Sequence, residues 1–313
     1  MVCKHEHLLD VQNLSVSFKM YDRGLVQKEL KVISDLSVSV DRGEILAVVG
    51  SSGSGKSLLA HAIMGILPEN AAIQGAMKYQ GEDMTPEYQE KLRGRQIALV
   101  PQSVTYLDPL MRVEKQVLGA GKDAKKKIPA LKGIFNRLEL DESVGKQYPY
   151  QLSGGMARRV LVSTAVIGDA ELVIADEPTP GMQTGQAIEA LRIFRELADE
   201  GKGVLLITHD IDLALNFADK IAVFYAGTTL ELASSGDFLS GEESLRHPYS
   251  KALWRAMPQN GFEPLDGFQP FSGSLPSGCL FSPRCSMCEK QCRQKIPEMR
   301  ELRGGFVRCF HAT

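Results

Sequence analysis

Two stretches near the start of the chain alternate apolar with polar residues, the pattern of half-buried strands. Residues 8–18 (Leu-Leu-Asp-Val-Gln-Asn-Leu-Ser-Val-Ser-Phe) and 31–40 (Lys-Val-Ile-Ser-Asp-Leu-Ser-Val-Ser-Val) both follow it, and together they predict an antiparallel sheet. Three later runs differ. Glu44–Val49, Glu171–Ala175 and Val204–Thr208 are short and nearly continuously apolar, each followed by Gly, Asp or His and then by a helical pattern. Such runs predict parallel strands buried on both faces, so the core reads as α/β. From about Met84 to Leu152 strand signals thin out, apart from Gln96–Pro101, and helix-compatible segments such as Lys132–Leu140 predict a helical insertion. After about Ser240, Pro, Gly and Phe become frequent, most densely over Gly261–Gly278. That shift predicts a small appendage from residue 241 with sparse regular structure.

Composition narrows the class. With 313 residues, 43% hydrophobic, 24% charged and a net charge of −2, the chain can bury a substantial core and lacks the basic excess of a nucleic-acid binder. Lys125–Lys127 reads as a solvated face. No stretch approaches the roughly 18–20 apolar residues that cross a bilayer, and Met1–Asp10 is charged rather than signal-like. The expectation is a cytoplasmic chain; if it works at a membrane, other subunits supply the spans. Five of the six cysteines fall between Cys279 and Cys309, which in a reducing compartment points to metal or cluster ligation more than to disulfides.

The segment Gly50-Ser51-Ser52-Gly53-Ser54-Gly55-Lys56-Ser57 carries the full G-x4-G-K-[ST] pattern between an apolar strand and the helix-compatible run Leu58–Leu67. Its glycines let backbone N–H groups turn inward around phosphates, and the helix N-terminus adds its positive dipole end. In that arrangement Lys56 reaches the β- and γ-phosphates and Ser57 ligates Mg²⁺. Leu172-Val173-Ile174-Ala175-Asp176-Glu177 supplies the complementary half. A buried strand ending in two acids places Asp176 on the Mg²⁺ shell and Glu177 beside the γ-phosphate as the base that polarises water.

Leu152-Ser153-Gly154-Gly155-Met156 decides which kind of phosphate-loop protein this is. With the loop, Asp176-Glu177-Pro178, Gln102 after an apolar strand and His209 at a strand end, it resembles the ATP-binding-cassette (ABC) family, in order and spacing, over roughly the first 235 residues. The resemblance implies a P-loop NTPase (RecA-like) core with an antiparallel β subdomain and a helical insertion. Ser153, Gly154 and Gly155 open a helix and present N–H groups to an anion, a second cradle that one nucleotide does not need. The family's head-to-tail dimers resolve this, because the signature of one subunit closes over the ATP held by the other. It further implies that Gln102 senses Mg²⁺ and the γ-phosphate, that His209 contacts the γ-phosphate, and that Phe18 lies against adenine, although a core Phe on an alternating strand reads the same way. One position departs from the pattern: Gln183 stands where the family usually has Asp, which puts communication between two ATP sites in doubt.

Met156 in place of the commoner Gln, and His247-Pro248-Tyr249-Ser250-Lys251-Ala252-Leu253 after the core, look like the oligopeptide, dipeptide and nickel importer branch. Cys279-x5-Cys285-x6-Cys292-x16-Cys309 resembles the C-terminal element of that branch, where four cysteines hold a [4Fe-4S] cluster. Four thiolates also suit Zn²⁺, and Cys288 forms a Cys-x2-Cys pair with Cys285, so it competes for a place in the set. The predicted organisation is an ATP-binding domain over 1–240, with its helical part at about 84–155, and an extension over 241–313. The predicted activity is ATP hydrolysis powering import of peptides, nickel or metal chelates from the cytoplasmic face of a bacterial membrane. The implied partners are two permeases, a second, non-identical ATPase and an extracytoplasmic binding protein. Three rivals stand beside it: a soluble ABC ATPase outside transport, a cysteine tail that senses iron or redox state, and an exporter ATPase.

Overall fold

The alternating N-terminal stretch becomes strand β1 (Leu9–Tyr21), which pairs antiparallel with β2 (Gln27–Val40) from Leu9↔Val40 to Tyr21↔Gln27. The computed structural model describes residues 7–21, 26–119 and 124–313. Residues 1–6 of the charged N-terminal stretch, Cys3 among them, lie outside the described residues. The apolar run after Glu44 becomes β3 (Ile45–Gly50), buried at every position. β4 (Ala71–Tyr79) pairs with the other edge of β1 and carries the short β5 (Glu82–Asp83), giving a sheet in the order β2-β1-β4-β5. The inward side chains Leu9, Val11, Leu14, Val16, Ile33 and Leu36 are fully buried, so alternation has done here what it predicts.

Two compact units emerge from the chain. One holds this sheet, Leu46–Thr85 and Thr208–Thr313; the other holds Arg42–Ile45 and Pro86–Ile207. In the second, β6 (Ile97–Val100), β7 (Leu172–Asp176) and β8 (Gly203–Thr208) run parallel, from Ile97↔Leu172 to Val100↔Ala175 and from Leu172↔Gly203 to Asp176↔Ile207. Their unbroken apolar faces are explained by helices at Gly154–Val166 and Thr184–Asp199. The insertion is helical, with helices at Pro86–Leu92, Val113–Leu118 and Ile128–Arg137. The last begins earlier than the apolar pattern at Lys132 suggests, because Pro129 fits the first turn, and it ends before Glu139, whose φ is +52. Arg137 then ties it to the Thr184–Asp199 helix through Glu189 (2.9 Å) and Glu196 (2.6 Å).

In the first unit β3 pairs parallel with β9 (Lys220–Tyr225), which turns through Ala226 (φ +47) and Gly227 (φ +86) into β10 (Thr228–Ser234). Two consecutive positive φ values are those of a type I′ hairpin. The C-terminal region holds more regular structure than its Pro/Gly content suggests. β11 (Arg300–Leu302) and β12 (Gly305–Val307) form a hairpin that extends the sheet at β10, Glu231 opposite Val307. Three-residue strands carry too little alternation to read from sequence. Among the described residues no helix is long and apolar enough to cross a membrane.

Candidate functional site: a phosphate loop and an acidic strand end

Gly50 to Ser57 joins β3 to the helix Lys56–Met64, with Gly55 at its N-cap in a left-handed conformation (φ +94) and Gly65 closing it (φ +63). Gly50 cannot be replaced: a Cβ there would lie 2.3 Å from the Phe224 carbonyl oxygen on the paired strand. At Gly50 the loop therefore packs backbone to backbone against β9. Lys56 is buried and folds back into the loop, donating from Nζ to the carbonyls of Gly50 (2.8 Å) and Ser51 (3.1 Å). Ser54 Oγ is buried without a hydrogen-bond partner. A buried hydroxyl left unsatisfied costs roughly 1–3 kcal/mol, and an anion with acceptor oxygens relieves it. Exposed Gly53, half-buried Ser57 and the N–H groups of the first helical turn complete a cradle that fits the phosphates of ATP. Phe18, on β1 between Leu30 and Ala71, is half-buried, and His209, directly after β8, is exposed; both belong to the unit that carries the loop.

The second unit carries the acids. β7 ends in Asp176, 2% exposed, and the chain then turns at Glu177, 6% exposed, whose φ of +48 is left-handed. A non-glycine residue in that region costs on the order of 1–3 kcal/mol and persists only where its surroundings hold it. The Glu177 N–H donates to the Ile207 carbonyl at 2.9 Å. Its own carbonyl accepts from Arg158 Nη1 at 3.3 Å, and the same nitrogen donates to the carbonyl of Gln102 and lies 3.5 Å from that of Pro101. Burial lowers the Arg158 pKa, while the charges of Glu177 and Asp176 oppose that shift. Arg158 thus joins the exposed Gln102 to the Glu177 turn.

Sequence reasoning missed Arg158. Its signal is weak, a charge two residues past Met156 beside Arg159, and Arg159 serves the fold by donating to the carbonyls of Leu138 and Glu139.

Ser153 caps the helix Gly154–Val166 by accepting from the Met156 N–H at 3.3 Å, and the exposed Ser153 and Gly154 leave this end open to an outside anion. Gln183 occupies the N-cap of Thr184–Asp199, and its N–H donates to Gln186 Oε1 at 3.4 Å.

The cysteines converge without closing. Cys279 N–H donates to the Cys292 carbonyl (2.7 Å), and Cys292 Sγ meets His311 Nε2 at 3.3 Å. Burial pushes the Cys279 thiol up to about 11, and the nearby Cys309, Cys292 and Cys285 push it the same way. The five cysteines from Cys279 to Cys309 are free thiols. Among the described residues no group of three or more His, Cys, Asp or Glu side chains is arranged to hold a metal ion. The expected cluster or zinc site is thus matched in donor chemistry and not in placement among the described residues.

Comparison with known proteins adds the following. The ABC transporter family profile matches residues 33–180, and that of the oligopeptide/dipeptide transporter C-terminal region matches residues 230–292. The chain is 32% identical over 320 residues to the oligopeptide transport ATP-binding protein OppD of Haemophilus influenzae, covering 96% of each. It is 33% identical over 327 residues to OppD of Escherichia coli, covering 97% of this chain and 93% of that protein. It is also 33% identical over 324 residues to the dipeptide transport ATP-binding protein DppD of Haemophilus influenzae, covering 96% and 94%. Among solved structures, a dimeric ATP-binding cassette in a post-hydrolysis state with ADP and Pi shares the fold, with a TM-score of 0.63 at 23% identity over 72% of this chain and 98% of that one.

Proposed function

The chain belongs to the ABC transporter ATPases that carry the oligopeptide/dipeptide C-terminal region, and from that premise we propose that it powers the import of peptides. The observation that carries this reading is the near-complete match to OppD and DppD, which includes the C-terminal region as well as the ATP-binding part. The chain hydrolyses ATP. Its chemistry is positioning and charge stabilisation rather than covalent catalysis.

Gly50, Ser51, Gly53, Ser54 and Gly55 cradle the phosphates, and Lys56 exchanges its two loop carbonyls for the β- and γ-phosphates. Ser57, Asp176 and Gln102 hold Mg²⁺, which neutralises charge on those oxygens. Glu177 polarises the attacking water, His209 contacts the γ-phosphate, and Phe18 lies against adenine. Ser153, Gly154 and Gly155 serve the nucleotide of a second, non-identical ATPase. The region Gln102–Pro109 passes the motion to two permeases, from the cytoplasmic face, with cargo delivered by an extracytoplasmic binding protein. Glu177→Gln should still bind MgATP and hydrolyse it very slowly in the assembled transporter; near-normal turnover would remove Glu177 from the base role.

Cys279, Cys285, Cys292 and Cys309 are the thiols suited to a [4Fe-4S] cluster, with Cys288 as a substitute ligand and Zn²⁺ as the rival occupant. Its role is that of a structural staple for a region with a small core of its own. Iron and acid-labile sulfide analysis of anaerobically purified protein, beside zinc measurement, separates the two. Absence of all three would leave the cysteines as structural thiols.

A further inference from the structure

Ser51, the second residue of the phosphate loop, is bonded to a residue 218 positions further along the chain. Its Oγ donates to Gln269 Oε1 at 2.5 Å. The carbonyl of the same Ser51, with that of Gly50, receives Lys56. A loop that has to turn its N–H groups towards phosphate is therefore tied by a side chain to the C-terminal region. Between residues 261 and 281 that region forms no helix or strand, so side-chain contacts set its course.

Arg284 holds the segment just before Gln269. Its Nη2 donates to the Leu265 carbonyl (3.0 Å) and its Nε to the Asp266 carbonyl (2.8 Å), and Gly267 turns beside its stem with φ +79. Beyond Gln269, a Cβ on Gly273 would lie 3.6 Å from Leu30 Cδ1, and Leu30 is the residue of β2 paired with Phe18. Residues 265–273 thus form a strap that runs from Arg284, past the phosphate loop, to the strand pair carrying Phe18. The base of the strap is rigid. The Arg284 guanidinium lies over the buried Tyr225 ring, 5.9 Å from its centroid, and that ring meets Tyr249 (4.7 Å, 61°) and Phe281 (5.4 Å, 89°). Tyr249 is fixed in turn, since its N–H donates to His247 Nδ1 (2.9 Å) at the start of the helix Pro248–Arg255. Fully buried Glu231 accepts from the N–H groups of Arg246 (2.9 Å) and His247 (2.8 Å) and from Arg246 Nη1 (3.3 Å).

We propose that Gln269 is a positioning residue of the phosphate loop, holding the Ser51 hydroxyl so that the loop is set for nucleotide before nucleotide arrives. A loop already ordered loses less conformational freedom on binding, so Gln269 contributes to affinity through Ser51. The strap gives the C-terminal region a direct hold on the ATP site of its own chain, and Arg284, which carries the strap, stands immediately before Cys285. This inference rests on the reading that Gly50–Ser57 binds nucleotide.

The test is Gln269→Met, which keeps a stem of similar length and deletes the acceptor. MgADP affinity is measured by titration of the full chain, beside its thermal midpoint. The expected result is affinity weaker by about three- to tenfold, the effect of losing one hydrogen bond, with the midpoint little changed. In the assembled transporter the same variant should raise KM for ATP by a similar factor and leave kcat near wild type. Ser51→Ala should weaken binding similarly, and the double variant should be no worse than the poorer single one. Wild-type affinity in Gln269→Met overturns the proposal, and so do losses that multiply in the double variant, which would mean that Gln269 acts apart from Ser51. If Gln269→Met does not fold, unchanged affinity in Ser51→Ala overturns it alone. Failure of the underlying reading looks different: the wild-type chain would not bind MgADP, or Lys56→Ala would bind it as tightly as wild type.

Discussion

Arg158→Met tests whether the acidic strand end is held in place from within its own unit. The substitution keeps the aliphatic stem and removes every donor. It leaves the Gln102 carbonyl and the Glu177 carbonyl, 3.3 Å from Nη1, without their shared guanidinium; the Pro101 contact at 3.5 Å is too long to count. Hydrogen bonds from a charged donor contribute about 1.5–3 kcal/mol each, and Arg158 is half-buried, so water replaces part of the loss. A net effect of about 1.5–3 kcal/mol remains. If it falls on the orientation of Glu177 in the transition state, kcat drops about ten- to hundredfold. The grip on nucleotide comes from Gly50–Ser57, so KM for ATP should stay within about threefold of wild type. The assay is phosphate release by the assembled transporter across a range of ATP concentrations. Arg158→Lys should fall between the two, since a single ammonium keeps a charged donor but sits on a shorter stem than Nη1, the nitrogen that serves both carbonyls. A kcat within about twofold of wild type, or a loss carried entirely by KM, refutes the argument.

Three further outcomes are expected. Glu231→Gln breaks a buried ion pair and should lower unfolding free energy by about 3–5 kcal/mol in denaturant titration; a loss under about 1 kcal/mol would mean that Arg246 finds other partners. Burial pushes His247 from 6.5 down to about 3, so its neutral ring contributes stability that is complete above about pH 6.5 and drains as pH falls towards 3, at up to about 1.4 kcal/mol per pH unit. His247→Asn keeps an acceptor for the Tyr249 N–H and should flatten that acid limb of the thermal midpoint; an unchanged limb excludes His247 as its source. Gln183→Asp should strengthen cooperativity between the two ATP sites of the reconstituted transporter, and unchanged hydrolysis and cooperativity would refute a role for this position in their communication.

What the chain's sequence discloses about itself follows from range. Gly50–Ser57, Leu172–Glu177 and Leu152–Met156 are contiguous pieces whose chemistry is local, and each lies at a strand or helix end as its flanking apolar pattern suggests. The strands β1 and β2 are legible for the same reason, since their period of two is written within each segment. Contacts between distant segments are not written anywhere locally. Ser51 with Gln269, or Arg158 with Gln102, exist only once the topology has closed. The cysteines show the intermediate case. Their spacing discloses that they gather, and the burial of Cys279, Cys292 and Cys309 agrees, but spacing does not set how closely four sulfurs approach.

One contact bears on how genetic data from this chain would be read. A Cβ at Gly155 would lie 2.8 Å from the carbonyl oxygen of Gly181, in the same unit and two residues before Gln183. Inactivating alleles at Gly155 would therefore be recovered from a random screen whether or not a partner's nucleotide ever reaches that helix end. Gly154, whose Cβ would meet nothing within 4 Å, is free of this confusion. Loss of function on Gly154→Ala would report on the partner's site, whereas the same loss at Gly155 would report first on the chain's own backbone.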